Sequence, residues 1–95
     1  MTTLHLTLKK EWFDQISAGR KTEEYREAKP YWIARLMANG IENRTRHFDQ
    51  IVFKNGYSSI ARTMTVECLG IELHKQLTTP LGHGPCFVIK LGKIL

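Results

Sequence analysis

The sequence predicts one α+β domain spanning residues 1–95, a small, mostly antiparallel β-barrel of about five strands with two covering helices. Three observations carry this. Helical periodicity occurs in only two segments, both early, whereas most strand-like segments come late. No strand–helix–strand alternation is sustained, which argues against a doubly wound parallel sheet. One strand changes phase beside Gly70, the mark of a bulge that bends a strand as small barrels require.

In chain order, "LHLTL" alternates Leu4, Leu6 and Leu8 against His5 and Thr7, a period-2 strand with one buried face. "KKEWFDQISAG" places Trp12, Phe13 and Ile16 at helical spacing, with Gly19 as its stop. "KTEEYR" follows as an extended segment, with Thr22, Glu24 and Arg26 on one face and Lys21, Glu23 and Tyr25 on the other. "KPYWIARLMANG" predicts a second helix with Pro30 in its first turn, an apolar stripe of Ile33, Leu36 and Met37, and an end at Gly40. "IENRTRH" has no period and predicts a basic loop. "FDQIVFKNGY" is an apolar strand running into Asn55-Gly56, a pair that favours a tight hairpin turn. The return strand alternates Met64, Val66 and Cys68, then switches to Leu69, Ile71 and Leu73. "TTPLGHGP" predicts a loop, and "CFVIKLGKIL" a last strand with Phe87, Ile89 and Leu91 in register.

Bulk properties set limits. Hydrophobic content of 42% and charged content of 24% are near globular averages, which excludes a disordered chain. No apolar run is long enough for a membrane span and the N-terminus lacks a signal-peptide pattern, so a cytoplasmic location without membrane contact is expected. A net charge of +5 is a modest footprint for nucleic acid or another polyanion. Cys68 and Cys86 sit in apolar runs and predict buried free thiols; with four histidines at no ligating spacing, neither a metal nor a cofactor is expected.

The segment with the most chemistry is "GRKTEEYRE", residues 19–27, with six charged side chains of both signs around Tyr25. Glu24 and Arg26, two apart on a strand, can pair. The pair is either an exposed contact of at most about 1 kcal/mol or, shielded at a barrel mouth, a carboxylate and a guanidinium that read a base edge or a phosphate. Lys21 is a solvated side chain, a phosphate contact or a desolvated general base.

"GRKTEEYR" also fits the pattern Gly-x-Lys-x-x-Glu-x-Arg at Gly19, Lys21, Glu24 and Arg26, after a strand–helix opening. With "PYW", "FDQIVFKNGY" and "MTVECLGIEL" following in order, nearly the whole chain resembles the ASCH (activating-signal-cointegrator homology) domain family. That family is related to the pseudouridine-synthase-and-archaeosine-transglycosylase (PUA) fold. The resemblance implies a β-barrel with a cleft lined by the motif residues and a role in binding RNA or modified nucleosides. Some similar bacterial members are amidohydrolases that deacetylate N4-acetylcytidine; others are described as acting on RNA. The amidohydrolase branch uses a threonine three positions after the motif lysine, where this chain carries Glu24, so its threonine mechanism is not expected here.

The expected binding set is Lys21, Glu24, Tyr25, Arg26, Trp32, Arg35, Arg44 and Arg46. Tyr25, Tyr31 and Trp32 can stack on bases, although Trp32 serves equally as core; Trp12, Phe13 and Tyr57 are expected to pack structurally. The arginines can follow a phosphate backbone or simply face solvent. For catalysis the candidates are Lys21, Glu24 and Glu67, the last only if it points into the cleft rather than away from it. The expected partner is RNA, another single-stranded nucleic acid or a modified nucleoside. The alternative is a small hydrolase acting on a nucleoside amide or on RNA. A protein-interaction role has no specific feature in its favour.

Overall fold

A computed structural model of the chain describes residues 1–38 and 44–95. Five strands and two helices follow in the order β1 (Thr3–Leu8), α1 (Lys10–Ser17), β2 (Glu23–Glu27), α2 (Pro30–Leu36), β3 (Gln50–Asn55), β4 (Thr63–Thr79) and β5 (Gly82–Ile94). The strands form one mixed sheet in the order β1-β3-β4-β5-β2, parallel between β1 and β3 and antiparallel at the other three pairings. The sheet is not closed into a barrel: β1 and β2 are its two edges.

Alternation places the core where the apolar pattern requires. Leu4, Leu6 and Leu8 of β1 meet Ile51 and Phe53 of β3, Met64 and Val66 of β4, and Phe87, Ile89 and Leu91 of β5 on one inner face. Phe13 and Ile16 of α1 and Leu36 of α2 cover that face. Cys68 and Cys86 are buried free thiols, and burial pushes both above their ordinary value. No helix of the described residues is long and apolar enough to cross a membrane.

β4 shifts register between Val66 and Cys68 and again before Gly70, whose φ of 144° lies in glycine territory. This is the bulge that the change of phase predicts. Of the new phase, Ile71 is buried while Leu69 and Leu73 are exposed.

Four local expectations are corrected. The Asn55-Gly56 pair does not make a tight hairpin, since β4 begins only at Thr63. The Gly56 amide donates to the Leu8 carbonyl at 3.0 Å, which draws the chain toward the end of β1 before it returns. The segment "TTPLGHGP" is not a loop: Leu77, Thr78 and Thr79 pair with Gly84, His83 and Gly82, and only Pro80 and Leu81 form the turn. Helix α2 stops at Leu36; Met37 is extended and bridges to Thr45, and the expected stop at Gly40 lies outside the described residues. So short a helix turns Leu36 inward and leaves Ile33, predicted for the apolar stripe, exposed.

The basic loop is described from Arg44 onward. It is held by hydrogen bonds from the Ala38 amide to the Arg44 carbonyl and from the Arg46 amide to the Leu36 carbonyl, each 2.7 Å.

Candidate functional site

The gap between β1 and β2 is where the polar motif lies. β2 pairs with β5 so that Glu24 stands opposite Ile89 and Arg26 opposite Phe87, both residues of the core. Directly paired residues project to the same side, so Glu24 and Arg26 point to the inner face. Burial follows: Glu24 is only 4% exposed and is the one charged residue in the core among the described residues.

β2 starts at Glu23, so Lys21 precedes the strand and does not obey its alternation. It is positioned instead by the end of α1, where the Lys21 amide donates to the Gln15 carbonyl at 3.2 Å and Gly19 turns the chain at φ 76°. From there the Lys21 Nζ reaches Glu24 Oε1 at 3.3 Å, whereas a continuous strand would have placed it on the opposite face. Arg26 Nη1 lies 3.4 Å from Glu24 Oε2. One carboxylate therefore sits between two cations, and the trio carries a formal excess of positive charge.

The guanidinium of Arg26 is committed mainly to the main chain. Its Nη1 donates to the Tyr25 carbonyl at 2.7 Å, and its Nη2 donates to the Thr7 carbonyl of β1 at 3.2 Å. A side chain thus spans the two sheet edges that no backbone ladder joins. On Glu24, Oε1 accepts from the Tyr25 amide at 2.9 Å. Oε2 is buried and has no hydrogen-bond partner among the described residues. A carboxylate oxygen left in this state is costly, so each such atom requires an explanation.

Aromatic rings enclose the cations. The Lys21 ammonium lies 4.5 Å from the Trp12 ring centre and 5.1 Å from that of Tyr25. Arg26 lies 5.3 Å from Trp32, which meets Tyr31 edge-on at 4.9 Å, and Arg35 lies 5.0 Å from Tyr31 while donating to its hydroxyl at 2.9 Å. Contacts of this kind stabilise a desolvated cation by about 1–2 kcal/mol each, so they offset part of the burial. Tyr25 donates its hydroxyl to Glu23 at 3.1 Å; partial burial first, then that bond, pushes its phenol above the ordinary 10.0.

Two cavities that share part of their lining open here. The inner one, about 200 Å³, is lined by Trp12, Lys21, Glu24 and Pro80, and the outer one, about 780 Å³, by His5, Lys29, Tyr31, Trp32 and Tyr57. Thr7, Leu8, Lys9, Tyr25, Arg26 and Leu81 line both. The inner cavity is lined by a carboxylate held between two cations, Lys21 and Arg26, and is bounded by flat rings. Such a site suits a flat polar ligand whose edge donates to a carboxylate beside groups that accept.

Of the expected site residues, Lys21, Glu24, Tyr25, Arg26 and Trp32 come together. Trp32 is both wall and core, since it lines the outer cavity and packs against the hydrophobic cluster. Arg35 lines neither cavity and contacts Tyr31, which lines the outer one. Arg44 and Arg46 are exposed and line neither cavity; the Arg46 Nε donates to the Met37 carbonyl at 3.0 Å.

Glu67 stands apart from the cleft. Its neighbours Val66 and Cys68 fill the core, and its own Oε1 lies on the other side, 3.4 Å from the Lys93 amide. Three cleft residues escape the sequence reading. Trp12 contacts Lys21, Lys9 lines both cavities, and Tyr57 is 90% exposed on the rim instead of packing against its turn. None of the three has a sequence signal toward the cleft; Trp12, on the apolar spacing of α1, is expected from the sequence to pack structurally.

No protein-family model matches the chain, and no curated protein matches its sequence.

Proposed function

We propose that this cleft binds a nucleobase, presented by RNA or by a modified nucleoside, and that the chain is a small ASCH-type domain. One observation carries the reading: Glu24, whose buried Oε2 has no hydrogen-bond partner among the described residues, lines a small cavity walled by aromatic rings. An amino or imino group on a base edge supplies the missing donor, and the flanking Lys21 supplies a donor to the adjacent ring nitrogen or carbonyl. The motif Gly19, Lys21, Glu24, Arg26 and the net charge of +5 point the same way. On this reading the fold is a PUA-like barrel whose seam between β1 and β2 is bridged by Arg26 in place of a ladder.

The test is binding of short single-stranded RNAs and of individual nucleosides at low salt, by calorimetry or fluorescence, to the wild type and to Glu24→Gln. Binding that weakens as salt rises for the RNAs, and that falls at least tenfold in the variant, is expected. An absence of measurable binding at low salt, or an affinity for RNA indifferent to salt, overturns the reading.

A hydrolase acting on a nucleoside amide or on RNA has less to stand on. Glu67 is not in the cleft, so Lys21 and Glu24 would have to supply all the acid–base chemistry while paired with each other. Incubation with N4-acetylcytidine and with RNA, beside a Lys21→Ala control, decides this alternative; turnover above that control is its requirement.

A further inference from the structure

The inner cavity is too small for a complete ligand, whereas the outer one is far larger than the remainder of a nucleoside requires. Ligand pockets run from roughly 300 to 1,000 Å³. The inner space of about 200 Å³ falls below that range and the outer space of about 780 Å³ lies well within it. A nucleoside whose base occupies the inner cavity leaves most of the outer one unused.

The outer lining has its own chemistry. Lys9, Arg26 and Lys29 line it against a single carboxylate, Glu27, which pairs with Lys29 at 3.3 Å. Lys9 makes no ion pair with any described residue and lines both cavities, so it stands at the junction between them. Two tyrosines face solvent on the rim. Tyr57 is 90% exposed just after the turn at Gly56, and Tyr31, at 59%, is held by Trp32 and Arg35 and not by burial. Exposed rings beside a cationic lining, with Lys9 outside any ion pair among the described residues, are the arrangement on which successive bases stack while the backbone follows the positive charge.

We infer that the outer cavity is a second subsite for the nucleotides flanking the recognised base, so that the ligand is a single-stranded polynucleotide and not a free nucleoside. This rests on the nucleobase reading of the inner cavity. Lys9 takes the phosphate that links the inserted base to its neighbour, and Tyr57 and Tyr31 stack the neighbouring bases.

The experiment compares the four nucleoside 5′-monophosphates with the corresponding homotrinucleotides, as RNA and as DNA, on the wild type, Tyr57→Ala, Lys9→Ala and Glu24→Gln. At least one trinucleotide is expected to bind about five- to a hundredfold more tightly than its monophosphate. Tyr57→Ala removes most of that gain and leaves the monophosphate's affinity unchanged; its melting temperature, unaltered for so exposed a residue, verifies the fold. Lys9→Ala lowers the slope of log affinity against log salt for the trinucleotide by about one. Glu24→Gln weakens both classes of ligand.

Equal affinity for monophosphate and trinucleotide, or a Tyr57→Ala effect of equal size on both, overturns the second subsite while leaving the inner one standing. Failure of the wild type to bind any of the probes overturns both.

Discussion

Replacing Glu24 by glutamine tests whether the charged trio is an internal network or a decorated surface. The carboxylate lies 3.3 Å from Lys21 and 3.4 Å from Arg26, and the three side chains are 5%, 12% and 16% exposed. Removing one partner from so dry a group leaves charge uncompensated, which costs about 3–5 kcal/mol. Glutamine keeps the acceptor for the Tyr25 amide, so about 1 kcal/mol of that is retained. A net loss of about 3 kcal/mol in a domain this size lowers the melting temperature by roughly 12–24 °C. Thermal and urea unfolding followed by circular dichroism measure it, with Lys21→Met and the double variant completing a cycle. A coupling of about 1–3 kcal/mol between positions 21 and 24 is expected. A Glu24→Gln variant within about 0.5 kcal/mol of wild type, or a coupling near zero, would mean that solvent already screens these charges, and the argument from burial fails.

Arg26→Lys removes the forked donor that reaches the Tyr25 and Thr7 carbonyls together, and is expected to cost about 1.5–3 kcal/mol and to speed amide exchange in β1, as read by unfolding and by hydrogen exchange. Phe53→Ala, at a fully buried position between β1 and β4, is expected to lose about 3–5 kcal/mol in urea unfolding. Gly19→Ala meets open space but a φ of 76°, so backbone strain alone costs about 1 kcal/mol and a chemical melt should register it. Asp49 is held below its ordinary 3.8 chiefly by the Thr2 amide and then by His47. Its contribution is therefore present above that value and lost as pH falls through the lowered one. Asp49→Asn should melt below wild type near neutral pH, and the two curves should converge as the pH falls through the lowered value.

Periodicity makes part of this molecule legible. The alternation of Leu4, Leu6 and Leu8 and the helical spacing of Phe13 and Ile16 are local properties, and each determines a buried face whatever else the chain does. The change of phase at Gly70 is equally local. The arm of β4 and β5 is not, because Gly82 and Gly84 look like loop residues until a partner strand accepts them in a ladder. The reach of Lys21 depends on where a strand begins, a boundary two residues later than the extended segment "KTEEYR" suggests.

The site divides in the same way. The motif marks Lys21, Glu24 and Arg26, since they are close in sequence. Trp12, Lys9, Tyr57 and Leu81 join them only because β3 runs beside β1 and the β4–β5 turn lies near the end of β2, neither of which is written in neighbouring residues.

The absence of a ladder between β1 and β2 has a mechanical side. Every other pair of neighbouring strands is stitched by several backbone hydrogen bonds, and parting any of them means breaking a row. Along this one seam a single side-chain bond, Arg26 to the Thr7 carbonyl, resists widening. The seam that lacks a ladder runs along the mouth of the cavity. An incoming group that offers Arg26 a different acceptor meets only that one hydrogen bond across the seam, while the ladders joining β3, β4 and β5 stay intact.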